Sequence, residues 1–373
     1  MTGRRVLILS EPFGMGHTAV AKALRTYLLM GDPNCQVEIM ETSTHLSPKV
    51  ALLLGSLYLT FITRAPVLWG YLYATSRQQA GWMPIWHLLH VLIYKEMATI
   101  LGNLQPDVVV CTHPFPSAIV SRLKLGGFTS APLFTVVTDY CTHASWRSSA
   151  VDGYLLPTES VRLLMQKSGV PANRMMVTGI PIQPKFHAHK DKRDARSSLG
   201  VLDRPTILVM GGGLGLGFQI EDLDRLLRDY PDLQLLIVTG TNAQLRLKVA
   251  ALLDHAADRI HVYGYADNVD ELMDASDMII TKPGAVTCTE AMAKRLPIIL
   301  SRPLPGQEQD NSQHLISQGY AVDLSDRQAL AACLDDLVSN DGRLKRHFPG
   351  ILDWSETYLP ELNQSISRIL GHC

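Results

Sequence analysis

The sequence predicts an α/β protein made of two Rossmann-like, doubly wound domains that face a central cleft. Short apolar runs alternate with helical stretches along both halves of the chain, a pattern typical of parallel sheets covered by helices on both faces. The pattern restarts after a segment that is rich in proline and charge. The length of 373 residues also fits two domains of about 150 residues each.

Short apolar runs in each half predict the strands of the two sheets. A helix is expected from Thr18 to Leu29, after the first strand. The strands of the first half are Val6–Ser10, Gln36–Met40, Asp107–Cys111, Leu133–Thr138 and Gly153–Leu156. Those of the second half are Thr206–Met210, Leu235–Thr239, Ile260–Tyr263, Met278–Thr281, Ile298–Ser301 and Ala321–Leu324. Since ligands of such sheets bind beyond the carboxyl ends of the strands, functional residues are expected there.

The domain boundaries follow from this alternation. Residues 1–185 are expected to form the first domain, with residues 42–95 inserted between its second and third strands. Residues 186–204 form the predicted linker, and residues 205–356 the second domain. Residues 357–373 predict a last helix, which could cross back to the first domain.

Composition excludes some classes of protein. The net charge of −1 argues against a general nucleic-acid binder, which would be basic across a whole face. The six cysteines form no C-x-x-C pair, and a chain of this size needs no disulfide staples, so we expect reduced thiols in a cytosol. The apolar run that follows Arg4 and Arg5 has only strand length, so no secretory signal is expected.

The segment from Thr42 to Lys95, which we call the acid-free segment, contains no Asp or Glu. It carries basic residues, among them Lys49 and Arg64, between large apolar side chains. Amphipathic rings with only positive charge match a bilayer surface that contains anionic lipids, whereas prolines and charges interrupt every run of about 20 residues that could span it. Helices that pack on the sheet as core are the alternative. The tryptophans of this segment are Trp69, Trp82 and Trp86.

Glycine-rich turns follow the first strand of each half. Gly16 would let the backbone approach a ligand, and His17 beside it predicts a general base that works near neutral pH. A helix-capping histidine is the alternative. The second turn, Gly211–Gly217, matches a dinucleotide fingerprint poorly, because no acidic residue follows at the distance that would hold a ribose.

The stretch from Thr281 to Glu290 joins a predicted strand to a helix expected to begin near Thr287. Backbone amides at its glycine turn and the Thr287 hydroxyl would point at an anion, and Glu290 could accept two hydrogen bonds from a ribose diol. The same residues also match a capping box, in which Thr287 and Glu290 satisfy the first amides of the helix. The two interpretations are compatible.

Polar residues end several other strands. The loop from Pro303 to Asn311 is stiffened by two prolines and suits sugar hydroxyls. His113 and Asp139 lie at strand ends of the first domain, where either is a second candidate for acid–base work or a satisfied structural group.

Motifs along nearly the whole chain resemble the glycosyltransferases that make glycolipids from diacylglycerol, namely bacterial processive diacylglycerol glucosyltransferases and plant monogalactosyldiacylglycerol synthases. The N-terminal motifs are GMGHTAVAKAL at 14–24, APVLWGYLY at 65–73, THPFP at 112–116, VVTDY at 136–140 and VTGIPI at 177–182. The C-terminal motifs are KPGAVTCTEA at 282–291 and LPGQEQDN at 304–311. Met15 and Ala285 stand where this family usually has glycine.

The resemblance implies a GT-B fold of glycosyltransferase family 28, with a UDP-sugar held by the second domain and a lipid acceptor reached through the first. It also implies inversion at the anomeric carbon without a bound metal or another cofactor. The expected donor-binding residues are Gly213, Gly215, Tyr265, Gly284, Ala285, Val286, Thr287, Glu290, Gln307, Glu308 and Asn311. The expected acceptor and membrane residues are Gly16, His113, Lys49, Arg64, Trp69, Trp82 and Trp86.

The sequence thus predicts a hexosyltransferase bound peripherally to the cytoplasmic face of a membrane. It would transfer a hexose from UDP-glucose or UDP-galactose to diacylglycerol, with His17 as the first candidate for the base and Asp139 as the second. The alternatives are a polyprenyl-linked or non-lipid acceptor, a UDP-sugar 2-epimerase, and a non-catalytic UDP-sugar sensor. Anionic lipids are the expected membrane partners, nucleic acid is not expected, and the oligomeric state is left open.

Overall fold

Two parallel sheets of six strands each form the framework of the protein. The order of the first sheet is β2-β1-β3-β4-β5-β6, and that of the second is β12-β11-β10-β7-β8-β9. The computed structural model describes residues 3–12, 15–45, 84–212, 219–252, 254–304, 306–339 and 343–372. Within these residues the predicted α/β class and the two sheets are confirmed.

The first sheet is built by the N-terminal half of the chain. Its strands are β1 Arg5–Ser10, β2 Gln36–Glu41, β3 Val108–Cys111, β4 Leu133–Val136, β5 Gly153–Leu156 and β6 Met175–Val177. The helices of this half are α1 Met15–Gly31, α2 Thr42–His45, α3 Pro84–Leu104, α4 Pro114–Leu125 and α5 Glu159–Lys167. All strand pairs are parallel, and β3, β4 and β5 are buried along their whole length.

The second sheet repeats this plan. Its strands are β7 Thr206–Met210, β8 Gln234–Val238, β9 Ile260–Tyr263, β10 Met278–Thr281, β11 Ile298–Leu300 and β12 Ala321–Asp323. Its helices are α6 Lys192–Leu199, α7 Ile220–Asp229, α8 Ala243–Leu252, α9 Val269–Asp274, α10 Ala285–Ala293, α11 Gln307–Ser317 and α12 Arg327–Ser339, and α13 Trp354–Leu370 ends the chain. A core of aliphatic side chains from the strands and helices fills this half.

The chain divides into two compact units. The first comprises Met1–Pro184, Pro305–Gln307 and Glu356–Cys373, and the second comprises Lys185–Leu304 and Glu308–Ser355. Helix α13 therefore ends against the first unit, where Arg4 Nη1 donates to the carbonyl oxygen of Leu370 over 2.8 Å. Among the described residues no two cysteines are joined by a disulfide; these cysteines are Cys35, Cys111, Cys141, Cys288 and Cys333.

Several elements begin or end where the sequence pattern did not place them. Helix α1 begins at Met15 rather than Thr18, and α10 begins at Ala285 rather than near Thr287. In α10 the residue before the first turn is Gly284, and since it has no side chain, the helix begins without a side-chain cap. Strand β6 was not predicted, because a three-residue run carries too little periodicity to stand out.

The acid-free segment lies largely outside the described residues, together with Lys49, Arg64, Trp69 and Trp82. Its end is described as part of α3, although the side chain of Trp86 is not. Ile93, in this part of the helix, is buried in the core of the first sheet, as is Met97 just beyond the segment, so the alternative interpretation as core holds for this end. Among the described helices, none combines the length and the apolarity that crossing a bilayer requires. Membrane association stays a prediction.

A buried arginine ties helix α6 to the second sheet. Arg196 is 6% exposed, its Nη2 donates to Asp277 Oδ2 over 2.8 Å, and its Nε donates to the carbonyl oxygen of Ala275 over 3.0 Å. The same Asp277 oxygen accepts from the backbone N–H of Thr206, the first residue of β7, over 2.8 Å. The Arg196–Asp277 ion pair, to which Lys192 adds a second cation on the same carboxylate, therefore fixes the start of β7, one of the two central strands.

We expect Arg196→Met to lower the free energy of unfolding of the second unit by about 2 kcal/mol, because it removes the buried charged donor of Asp277, which then keeps only its ion pair with the more exposed Lys192. Urea unfolding followed by circular dichroism measures this. Arg193→Met on the same helix is the matched control: the Arg193 side chain is 84% exposed and should contribute less than about 1 kcal/mol. Equal losses in the two variants would contradict the account.

Candidate functional site

The carboxyl ends of β1, β3 and β4 bring His17 to a pair of threonines. His17 Nδ1 lies 2.9 Å from the carbonyl oxygen of Thr112 and 2.9 Å from the hydroxyl oxygen of Thr138. A carbonyl oxygen only accepts, so Nδ1 must carry the proton and donate it. The other ring nitrogen, Nε2, is then left with a lone pair in the neutral imidazole.

The backbone of the sheet places these groups. Thr112 directly follows β3, and its N–H donates to the carbonyl oxygen of Leu9 in β1 over 3.0 Å. His17 is the third residue of α1, which follows β1. The pairing of β1 with β3 thereby brings the Thr112 carbonyl to the first turn of the helix that carries His17.

The surroundings of His17 favour the neutral ring. Burial lowers the pKa of His17 below its usual 6.5, while the nearby carboxylate of Asp139 and the hydrogen bond to Thr112 act in the opposite direction. The ring meets that of His113 edge-on, with centroids 4.6 Å apart and planes at 89°. The result is an unprotonated base whose conjugate acid would have a carboxylate nearby.

His113 has a structural partner in the same place. Its Nδ1 accepts from the backbone N–H of Phe115 over 3.2 Å and so caps α4. Burial, followed by the neighbouring histidines His17 and His143, holds the pKa of His113 well below 6.5. The capping role is thus shown by the geometry, whereas a contact of His113 with an acceptor stays a prediction.

Glu11 was missed in the sequence, although it directly follows β1. Its carboxyl is fully buried, and burial raises its pKa to about 7. Oε2 accepts from the backbone N–H of Ser43 over 3.3 Å. Among the described residues, Oε1 has no hydrogen-bond partner, and neither do the buried hydroxyls of Ser10, Ser43 and Thr112. A lone glutamate after an apolar run gives no signal of this burial.

The second unit has a helix N-terminus without a side-chain cap near the carboxyl ends of β10 and β11. Helix α10 begins after Gly284 without a side-chain cap, so its first backbone N–H groups are available to a ligand. Thr281 and Ser301 are neighbours at the ends of these two paired strands, since the N–H of Ser301 donates to the carbonyl oxygen of Thr281 over 2.8 Å. Their hydroxyls are buried and lack partners among the described residues.

Glu290 lies in the second turn of α10. Burial raises the pKa of its carboxyl to about 8, with Lys185 opposing this and Asp270 adding to it. The capping-box interpretation of this residue is wrong, because Thr287 is the third residue of the helix and not its cap. Glu290 therefore caps nothing at the start of α10, and its contact with a ribose stays a prediction.

The first turn of α11 supplies the remaining polar residues. Glu308 Oε1 accepts from Lys282 Nζ over 2.8 Å, and Oε2 accepts from the backbone N–H of Leu304 over 3.0 Å. Asn311 Nδ2 donates to the carbonyl oxygen of Pro283 over 3.3 Å. Both side chains hold the loops around the turn, and their contact with a sugar stays a prediction, as does that of Gln307.

The other expected donor residues are less defined. Gly213 and Gly215 lie outside the described residues, and Tyr265 follows β9 with a side chain that is 56% exposed. The described part of the chain contains no cluster of three or more His, Cys, Asp or Glu side chains placed to hold a metal ion.

Comparison with known proteins assigns both units. Residues 17–182 match the family model of monogalactosyldiacylglycerol (MGDG) synthase, and residues 206–347 match the glycosyltransferase family 28 C-terminal domain. The processive diacylglycerol beta-glucosyltransferase of Bacillus cereus strain B4264 is 30% identical over 364 residues, which is 96% of this chain and 90% of that protein. The chain belongs to the glycosyltransferase family 28 group that includes the processive diacylglycerol glucosyltransferases.

Solved structures show the same fold. This glycosyltransferase matches MurG of Acinetobacter baumannii with a TM-score of 0.64 at 15% identity, over 99% of this chain and 100% of that one. It matches the UDP-GlcNAc 2-epimerase of Neisseria meningitidis, solved with UDP-GlcNAc, with a TM-score of 0.62 at 14% identity over 100% of both chains. The GT-B fold is therefore confirmed. The fold alone does not separate glycosyltransferases from epimerases, and the family membership does.

The buried Glu11 gives a pH-dependent prediction. Its folded pKa of about 7 lies above its usual 4.5, so the folded state loses stability as pH rises between these values. Gln cannot ionise, so the stability of Glu11→Gln relative to the wild type should rise by up to about 3 kcal/mol from pH 4.5 to pH 8. Urea unfolding at several pH values tests this. Glu38→Gln, the same change at an exposed position of β2, is the control, and equal pH dependence of both variants would refute the buried carboxyl.

Proposed function

We propose that this glycosyltransferase transfers a hexose from a UDP-sugar to diacylglycerol, with inversion at the anomeric carbon. The observation that carries the proposal is the hydrogen bond from His17 Nδ1 to the Thr112 carbonyl, since it reserves Nε2 as a base. The name of the Bacillus cereus relative supports diacylglycerol as the acceptor. Membership of glycosyltransferase family 28 supports a UDP-sugar as the donor.

The acceptor would react in a single displacement. His17 Nε2 takes the proton of the diacylglycerol hydroxyl while that oxygen forms its bond to the anomeric carbon. The bond from the anomeric carbon to the diphosphate oxygen breaks, and its electron pair leaves with UDP. Asp139 stabilises the imidazolium that forms, in agreement with the direction in which its carboxylate shifts the pKa of His17.

The donor would be held by the second unit. The first N–H groups of α10, at Ala285 and Val286, would receive the diphosphate, and Thr287 and Glu290 would contact the nucleotide. Gly213, Gly215 and Tyr265 would complete this side of the site. The proposal needs no metal or other cofactor, because these backbone dipoles face the developing negative charge.

The acid-free segment would bring the enzyme to its lipid. Its basic and aromatic residues support binding to anionic lipids on the cytoplasmic face of a membrane. With α2 at its start and α3 at its end, the segment belongs to the unit that carries His17. It would therefore serve the acceptor and not the UDP-sugar.

The test is transfer onto defined vesicles. The purified protein is incubated with vesicles of diacylglycerol and phosphatidylglycerol and with UDP-glucose or UDP-galactose in turn. Mass spectrometry of the lipids should show a hexosyl-diacylglycerol, and proton NMR should show the anomeric configuration opposite to that of the donor. Vesicles that carry undecaprenyl phosphate in place of diacylglycerol are the comparison. Product on the polyprenyl lipid alone, or retained configuration, would refute the proposal.

We expect His17→Ala to lower the transfer rate by about 10²–10⁴-fold, because the proton of the attacking hydroxyl loses its acceptor. UDP affinity, measured by calorimetry, should stay within about twofold of the wild type, since Ala285 to Glu290, the residues proposed to hold the diphosphate and the nucleotide, belong to the other unit. His189→Ala, a change at an exposed histidine, should keep full activity. Near-normal transfer by His17→Ala with intact UDP binding would assign the base to another residue.

A further inference from the structure

A lysine of the second unit lies close to two glycines, Gly212 and Gly284. Lys282 directly follows β10, and its ammonium forms an ion pair of 2.8 Å with Glu308 Oε1. The carboxylate of Glu308 is 11% exposed, and its second oxygen accepts from the Leu304 N–H. Both oxygens of this carboxylate therefore already have protein partners.

The side chain of Lys282 lies so close to Gly212 that a larger residue at that position would crowd it. A Cβ atom at Gly212 would lie 3.1 Å from Lys282 Cε, and Gly212 has a φ of +67°. A larger residue there would be strained and would press on the lysine. A Cβ at Gly284 would lie 3.9 Å from the same Cε. The end of the Lys282 side chain thus lies close to both the end of β7 and the start of α10.

The position of the ammonium points to a ligand. An ammonium has three N–H donors, and Glu308 accounts for one of them. The side chain of Lys282 is 29% exposed to solvent, whereas the carboxylate that holds it is largely buried. The buried hydroxyls of Thr281, the residue before Lys282, and of Ser301 also lack partners among the described residues. Cation, hydroxyls and uncapped helix amides together match a multiply charged anion.

We propose that Lys282 is a further catalytic residue, whose ammonium binds the diphosphate of the UDP-sugar and stabilises the charge on the leaving UDP. The inference rests on the proposed function and adds a residue to it. Glu308 is then a positioning residue that holds the ammonium, rather than a direct ligand of the hexose. When the bond to the anomeric carbon breaks, its electron pair moves onto a phosphate oxygen. The ammonium already faces that oxygen, so it need not reorganise.

The experiment compares UDP with uridine, which lacks the diphosphate. Both are titrated by calorimetry, with uridine measured as a competitor of UDP. Lys282→Met should weaken UDP binding by about 10- to 100-fold, as expected for the loss of a charged hydrogen bond, and should leave uridine within about twofold. Lys282→Arg should keep most of the preference for UDP, because the charge is retained.

The matched control is Lys190→Met. Lys190 belongs to the same unit and forms an ion pair of the same length, 2.8 Å, with Glu271 at the surface. This variant removes the same charge and should leave both affinities unchanged. Glu308→Gln should keep the preference for UDP, but it should lower the transfer rate because the ammonium is no longer held in place.

The possible outcomes distinguish failure of the role of Lys282 from failure of the proposed function. If the wild type binds UDP and Lys282→Met keeps the wild-type ratio of UDP to uridine affinity, the role of Lys282 is refuted while the proposed function stands. If the wild type binds no UDP, the proposed function fails as well. Should Lys282→Met unfold, as judged by circular dichroism, Lys282→Gln repeats the comparison with a smaller loss of polarity, and an unchanged ratio there is equally decisive.

Discussion

The hydrogen bond between the His17 ring and the Thr112 carbonyl is the contact on which the chemistry proposed for the first unit depends. It exists because β1 and β3 are neighbours in a parallel sheet, so that the chain leaving β3 passes the first turn of the helix that follows β1. The carbonyl fixes which ring nitrogen carries the proton, and burial keeps the ring neutral. The order of the strands in the sheet thus determines that the lone pair of the neutral His17 ring lies on Nε2.

The second unit has the same α/β architecture, but the groups at its strand ends favour a negatively charged ligand. Its strand ends supply uncapped helix amides, two buried hydroxyls and an ammonium held by a buried carboxylate. Such groups favour negative charge without needing to move. The two units therefore differ in their chemistry. The first presents the neutral imidazole of His17, which suits a hydroxyl, and the second presents helix amides and an ammonium, which suit a diphosphate. Each arrangement is built from the backbone at the carboxyl ends of parallel strands.

Local sequence predicted the framework and the places where chemistry occurs. Apolar runs bounded by glycine and proline gave the two sheets, and the GMGH and KPGAV turns marked the strand ends that carry His17 and Gly284. Local sequence did not predict the burial of Glu11, the pairing of Lys282 with Glu308, or the capping role of His113, because each depends on which strands become neighbours. The end of the acid-free segment shows the same limit: Ile93 belongs to the segment expected at a membrane surface, yet it packs into the core.

The central claim is that the protein fixes the tautomer of His17, and nitrogen NMR measures this directly. In protein labelled with 15N-histidine, a long-range 1H–15N spectrum, with His17→Gln to assign the signals, distinguishes the two neutral tautomers. We expect a neutral ring at pH 7 with the proton on Nδ1 and no proton on Nε2. A proton on Nε2, or a ring that is charged at pH 7, would contradict it, since Nε2 could then not accept the proton of an attacking hydroxyl.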